Sequence, residues 1–121
     1  MIQIFKTTYG YNHTKVNYVD DNNLFAGFET DQQCCESATH RIEDSEGNII
    51  EPENGNVFYD LLFTGELPEE SEFDDTCTAH IPLKHETTNE RYYLVFENCH
   101  NGYYAHGYEF GKIEIKHSSS I

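Results

Sequence analysis

The sequence has little positive charge, no tryptophan and no long apolar run. Only 7 of its 121 residues are lysine or arginine, against 22 aspartate or glutamate residues. It has no glycine-rich phosphate loop, G-x-S-x-G nucleophile elbow or dinucleotide fingerprint, and these absences exclude the commonest enzyme classes. No apolar stretch is long enough to span a bilayer, and the start does not resemble a signal peptide. We therefore predict a soluble, cytoplasmic protein.

The length predicts a single domain, residues 1–121, that buries roughly 65% of the surface of its unfolded chain. Aromatic residues supply much of the core, with 9 tyrosines and 8 phenylalanines. They cluster with β-branched residues in short runs and do not form helical stripes, which predicts a β-rich α+β domain. The 4 cysteines are expected to be reduced in the cytoplasm.

The strongest local signal is Asn101-Gly102, which lies between two aromatic-rich runs within Glu90 to Lys116. An Asn-Gly pair flanked by such runs is typical of a two-residue β-hairpin turn. The turn would fix the register and place Val95 opposite Tyr108. We predict a single antiparallel sheet built around this C-terminal hairpin.

Shorter runs complete the predicted fold. Alternating residues predict three opening strands, and Asp20 to Asn23 is a polar turn before the third of them. The segment from Asp31 to Asp44 fits a strand or an irregular crossing. Asn56 to Thr64 fits one short helix with Asn56 as its cap, although a strand also fits. The predicted strands are Ile2 to Thr8, Val16 to Val19, Leu24 to Glu29 and Thr78 to Leu83.

The negative charge is concentrated in one part of the chain. Between Asn17 and Leu83 there are 17 acidic residues and a single basic residue, Arg41. A field of this sign repels nucleic acid and anionic membranes and attracts basic partners. Its densest part, residues 65–76, is predicted to be an exposed acidic loop or insert. The candidate binding residues are Glu43, Asp44, Glu46, Glu66, Glu69, Glu70, Glu72, Asp74 and Asp75.

Cysteine and histidine residues offer a weaker alternative site. No CxxC or HxxxH motif occurs, so a zinc site would need ligands from separate segments: Cys34 or Cys35 with Cys99 and His106. The hairpin register would also place Glu97 opposite His106 and near Cys99, the skeleton of a nucleophilic site. Core-packing thiols and a cross-strand ion pair explain the same residues, so we predict no metal, no cofactor and no catalytic residue.

Two segments together carry a resemblance to a known family. They are Asp31-Gln32-Gln33-Cys34-Cys35-Glu36 and Asn101-Gly102-Tyr103-Tyr104. The chain resembles, from about Leu24 onward, a small uncharacterised family encoded by phages and bacteria, with a Cys-Cys-Glu segment and a C-terminal Asn-Gly-Tyr-Tyr hairpin. The family has no established activity. The resemblance implies a context, namely an accessory protein of a phage or mobile element acting in a host cell.

These features predict a binding protein and not an enzyme. The first hypothesis is an inhibitor of a host defence or nucleic-acid-handling protein, anti-CRISPR-like or anti-restriction-like. Its carboxylates would imitate a phosphate backbone and occupy a basic groove. Two alternatives stay open: a metal- or thiol-dependent site, and a structural accessory protein of a virion or other assembly.

Overall fold

A computed structural model describes residues 1–10, 13–30, 37–73, 76–99, 107–112 and 116–120. In these ranges the chain forms twelve β-strands and no helix, so the predicted α+β class is wrong and the described protein is all-β. Nor do these ranges contain a helix with the length and apolarity needed to cross a membrane. The strands are β1 Ile2–Tyr9, β2 His13–Asp20, β3 Leu24–Glu29, β4 Ser37–Asp44, β5 Ile49–Ile50, β6 Val57–Phe58, β7 Leu61–Phe63, β8 Glu69–Phe73, β9 Thr76–His85, β10 Arg91–Cys99, β11 Gly107–Lys112 and β12 Lys116–Ser120.

The strands form two antiparallel sheets, and the prediction of a single sheet is therefore wrong. The first sheet has the order β12-β11-β3-β2-β1-β6. The second sheet has the order β5-β4-β10-β9-β7, and β8 also pairs with β9. Buried residues of both sheets belong to one hydrophobic cluster, so the sheets pack face to face as a sandwich.

The opening meander β1-β2-β3 is confirmed, and β3 has the predicted bounds. Ile2 pairs with Asp20 across the first hairpin, and Tyr18 pairs with Ala26 across the second. Val16, Tyr18 and Asp20 are buried while the residues between them are half-buried, the alternation expected of a strand with one face on a core.

Aromatic rings from both sheets meet at Phe96 of β10. Its ring stacks on Phe28 of β3 with centroids 4.7 Å apart and planes 8° from parallel. Tyr18 and Tyr108, also from the first sheet, approach the same ring at 6.1 and 6.3 Å. All four side chains are almost completely buried. Each buried ring of this size contributes roughly 1.5–3 kcal/mol of transfer free energy, so this cluster is a major part of the inter-sheet contact.

The strands on either side of Asn101-Gly102, β10 and β11, do not pair with each other in the described structure. Val95 of β10 lies opposite Arg41 on one side and His80 on the other, while Tyr108 of β11 pairs with Phe28. The two arms of the predicted hairpin thus lie in different sheets. Residues 100–106, with the predicted turn, lie outside the described residues. The turn prediction used only residues near Asn101-Gly102 and took no account of contacts in the core. In the structure β10 pairs with β4 and β9 on its two edges, and Phe96 contacts Tyr108 across the core.

The predicted helix over residues 56–64 is also wrong. Its sequence forms β6 in the first sheet and β7 in the second, so this segment crosses from one sheet to the other. Phe58, Leu61 and Phe63 are buried in the shared core, and Tyr59 and Asp60 between them are exposed. The spacing of the buried residues fits a short turn between two strands as well as a helix, and packing against both sheets decides between them.

Asp20 is a buried carboxylate, 5% exposed, that holds a turn and links the sheets. Its Oδ1 accepts hydrogen bonds from the backbone N–H groups of Asn22 and Leu24, both at 2.9 Å. Its Oδ2 accepts one from the N–H of Phe63 in the second sheet at 3.1 Å. A buried charge persists when it is hydrogen-bonded in this way. Part of the acidic character of the chain is therefore structural.

A second polar link between the sheets joins Tyr18 to His40. The Tyr18 hydroxyl and His40 Nδ1 are 2.5 Å apart. Burial raises the pKa of Tyr18. Burial, and then the positive charge of Lys6, lower the pKa of His40. The pair is therefore a neutral hydrogen bond near neutral pH.

Replacing Asp20 by alanine should destabilise the fold by about 2–4 kcal/mol, because three backbone donors, one of them buried and two partly buried, lose a charged acceptor. The control is Asp21→Ala in the same turn, where an exposed ion pair with the N-terminus is lost and the expected cost is about 1 kcal/mol or less. Urea unfolding measures both. Equal costs for the two variants would contradict the structural role of Asp20.

Stability should also depend on the protonation of His40. Its pKa is lowered by folding, so its contribution is complete above the unfolded pKa of about 6.5 and is lost as pH falls through the folded pKa. Urea unfolding at about pH 7.5 and about pH 5.5, on either side of that value, should show a smaller loss for His40→Gln than for the natural chain. The exposed His13→Gln is the control. An unchanged loss in His40→Gln would contradict this assignment.

Candidate functional site

The densest acidic segment contains an exposed edge strand. Residues 65–76 include β8, which pairs with the first half of β9, and all five residues of β8 are exposed. No other described strand pairs with the opposite side of β8. Phe73 is 80% exposed, and Leu67, which precedes the strand, is 66% exposed. This segment therefore presents carboxylates, two large apolar side chains and a strand edge to solvent.

The carboxylates of β8 point to two sides. Glu70 and Glu72 lie opposite Ala79 and Cys77, so they share the side of the sheet that faces the sandwich interior. Glu69 lies opposite His80 on the outer side. Pairing with β9 thus places Glu70 and Glu72 on one side of the sheet and Glu69 on the other.

Two carboxylates of this segment have partners in the fold. The Tyr108 hydroxyl donates a hydrogen bond to Glu70 Oε1 at 2.5 Å. Arg91 Nη1 forms an ion pair with Glu66 Oε1 at 3.0 Å, with both side chains well exposed. An exposed pair of this kind contributes little, about 0–1 kcal/mol, and Glu66 can exchange Arg91 for another cation. Glu69 and Glu72 form no hydrogen bond or ion pair with another described residue.

Glu43, from the second predicted group, lies in a mixed-charge network. Arg41 Nε donates to Glu43 Oε2 at 2.5 Å, and Arg41 Nη1 lies 3.5 Å from Glu97 Oε1. Partial burial lowers the pKa of Arg41, but hydrogen bonds and charge from the two glutamates outweigh it, and the pKa is raised. Glu43 is therefore neutralised within the fold.

Asp44 closes the turn between β4 and β5. Its Oδ1 accepts hydrogen bonds from the backbone N–H groups of Glu46 and Asn48, both at 2.9 Å. The bond from the Asn48 backbone is the largest cause of a lowered pKa for Asp44. An aspartate that bonds to the backbone two residues ahead is typical of turns. Glu46 is the exposed acid that remains from this group.

The two predicted acidic groups do not form one row. Glu43 and Asp44 belong to β4, and β8 lies three strand positions away across β10 and β9. At about 4.8 Å per strand this separation is about 14 Å. The structure brings together Glu66, Glu69, Glu70 and Glu72, and it places Glu43, Asp44 and Glu46 elsewhere. Asp74 and Asp75 lie outside the described residues.

Of the four cysteines, the structure describes Cys77 and Cys99. Cys77 pairs in register with Asn98, so neighbouring Cys99 points to the opposite face of the sheet from Cys77. Neither is joined to another described cysteine by a disulfide. Among the described residues, no group of three or more His, Cys, Asp and Glu side chains is placed to hold a metal ion. Cys34, Cys35 and His106 lie outside that part of the chain, and Glu97 pairs with Arg41.

Sequence reasoning did not find a pocket that lies near the end of β9, at the opposite end of this strand from its pairing with β8. Its lining includes Glu51, Glu53 and Asp60 together with Tyr59 and Tyr92. With His85, the lining residues come from four segments of the chain, and no spacing in the sequence connects them. In the sequence, the acidic lining residues are part of a general excess of acids, and nothing distinguishes them from the other carboxylates.

Comparison with known proteins identifies no relative. No protein-family model, curated protein or solved structure matches this chain.

The two described thiols should react at different rates. Cys99 is exposed, whereas burial and then the charge of Glu72 raise the pKa of Cys77 and reduce its thiolate fraction. In a Cys34→Ser, Cys35→Ser background, iodoacetamide should modify Cys99 at least about tenfold faster than Cys77. Peptide mass spectrometry over time measures both rates. In the Cys99→Ser variant the fast reaction should be absent, and Cys77 should still react at its slow rate. Faster modification of Cys77 would contradict the placement of the two thiols.

Proposed function

We propose that this chain is a non-catalytic binding protein that docks its acidic edge strand β8 onto a basic protein surface. The observation that carries the proposal is that all five residues of β8 are exposed, Glu69, Glu70 and Glu72 among them. The formal net charge of −15 would speed association with a positively charged partner. The partner class is a nucleic-acid-binding protein of the cell in which the chain acts, such as a defence protein of a phage host.

Exposed apolar groups support a docking surface over a merely solubilising one. Phe73 ends β8, and Leu67 lies two residues before the strand. Large exposed apolar side chains beside charged residues are a feature of protein interfaces. The carboxylates would guide the encounter, and Phe73 and Leu67 would supply apolar contact area.

Charge spacing indicates how far β8 can imitate nucleic acid. Glu70 and Glu72 lie on one side of β8 and are two residues apart, which is about 7 Å at about 3.4 Å per residue. In duplex DNA each strand carries one phosphate per about 3.4 Å of helix axis, and both strands together carry one per about 1.7 Å. The spacing of these two carboxylates therefore matches about every second phosphate of one strand. Glu66 adds a further charge when it exchanges Arg91 for a basic group of the partner.

Protection of a sheet edge would explain the same acids without a partner. Charged side chains on an edge strand prevent pairing with another chain. This explanation predicts that loss of the charges causes self-association, whereas the docking proposal predicts loss of a partner. The two are separated by examining the same variants for both properties.

The test uses charge reversal with a matched control. Proteins captured from host lysate at low salt are identified by mass spectrometry, and the purified partner is then titrated with the natural chain and two variants. Glu69→Lys with Glu72→Lys should weaken binding at least about tenfold and make log K depend less steeply on log salt, because two charge contacts are lost. Glu46→Lys with Glu90→Lys changes the net charge equally at exposed sites away from β8 and should have a much smaller effect. Duplex DNA should compete with the natural chain.

Equal weakening by both double variants would show that net charge alone controls binding, and would contradict docking at β8. If the Glu69→Lys, Glu72→Lys variant bound with unchanged affinity and unchanged dependence on salt, docking at β8 would also be contradicted. Size-exclusion chromatography of Glu69→Gln with Glu72→Gln tests the edge-protection alternative. Concentration-dependent self-association of this variant, with no loss of partner binding, would replace the docking proposal.

A further inference from the structure

A pocket lined by apolar, aromatic and acidic residues opens where β6 leads into β7. Phe58 and Leu61, at either side of that turn, are buried members of the core cluster. Tyr59 and Tyr92 contribute to its wall, and Ile50 of β5 contributes from the edge of the second sheet. A pocket bounded by three aromatic residues can bind a flat or extended group with an apolar stem.

Three carboxylates make the lining of this pocket negatively charged. Glu51, Glu53 and Asp60 line it, and none of the three carboxylate groups forms a hydrogen bond or ion pair within the part of the chain that the structure describes. This separates them from Glu43, Glu66 and Asp20, which are all occupied by partners in the fold. A ligand in the pocket would meet three uncompensated negative charges.

The histidine in the lining does not compensate them. His85 Nδ1 accepts hydrogen bonds from the backbone N–H groups of Thr87 and Thr88 at 3.2 and 3.3 Å. A ring nitrogen that accepts carries no proton, so the imidazole is neutral in this arrangement. Among the described lining residues no other side chain can carry a positive charge.

These observations favour an organic cation over a metal ion. The carboxylates and His85 do not converge as metal ligands do, because no described group of three such side chains could hold a metal. Aromatic faces attract ammonium and guanidinium groups, and carboxylates around the rings add to that attraction. We infer that this pocket binds a single alkylammonium or alkylguanidinium group, with its alkyl stem against the apolar lining. The site is separate from β8 and does not depend on the proposed function.

The experiment titrates the ¹⁵N-labelled full chain with n-butylammonium chloride and follows backbone amide shifts. Saturable shifts are expected for pocket amides such as those of Ile50, Tyr59, Asp60 and Tyr92. The uncharged analogue 1-butanol and equal concentrations of sodium chloride should not produce them. Shifts spread evenly over all exposed acidic residues, or equal to those with sodium chloride, would overturn the inference.

Variants assign the binding to the pocket. Tyr59→Leu, and Glu53→Gln with Asp60→Asn, should each weaken n-butylammonium binding by about two- to fivefold, the range expected for an exposed cation–π contact or a small set of charge contacts. Tyr59 and Asp60 are exposed, so spectra of the remaining amides should be unchanged. Glu46→Gln, an exposed acid outside the pocket, should bind as the natural chain does. Weakening by Glu46→Gln equal to that of the pocket variants would overturn the inference.

Two natural sources could supply such a group, and the same titration separates them. N-acetyl-lysinamide and N-acetyl-argininamide represent side chains of a protein partner, while n-butylammonium represents a free amine. Tighter binding of either amino-acid amide would identify a partner side chain as the ligand. Tighter binding of n-butylammonium would identify a small-molecule amine.

Discussion

The fold depends on the packing of Phe96 between the two sheets. Its ring stacks on Phe28 and contacts Tyr18 and Tyr108, so one side chain of the second sheet is surrounded by three of the first. This contact requires β10 and β11 to lie on opposite sides of the core. A direct β10–β11 hairpin would place both strands in one sheet and remove that face-to-face packing. The pairing of β10 with β4 and β9, and of β11 with β3 and β12, is consistent with this constraint.

The arrangement of charge is a consequence of the same sandwich. With the core filled by aromatic and aliphatic side chains, most acids lie at sheet edges and turns, where the fold uses some of them. Asp20 ties a turn to β7, Asp44 closes a turn, and Glu43 pairs with Arg41. Acidic residues that the fold does not use remain on β8 and around the pocket beside β6 and β7. These are the two surfaces at which we expect ligands.

Local patterns predicted part of this fold and little of the site. The alternation of Val16 and Tyr18 was enough to identify β2, because one face of that strand lies on the core. The Asn-Gly signal and the helical spacing of residues 56–64 failed, because each competed with packing between residues distant in sequence. The bond from Tyr108 to Glu70 spans 38 positions, and the ion pair from Arg91 to Glu66 spans 25. A count of acidic residues therefore identified the charged region, but it did not show which carboxylates have partners within the fold and which can bind a ligand.

The most direct test is the pattern of cross-strand nuclear Overhauser effects around Val95 in the labelled protein. The two-sheet sandwich predicts backbone contacts from Val95 to both Arg41 and His80, and ring contacts from Phe96 to Phe28. Backbone contacts between Val95 and Tyr108 would show that β10 and β11 form a hairpin in one sheet. That result would contradict the sandwich and, with it, the placement of β8 and of the pocket beside β6 and β7.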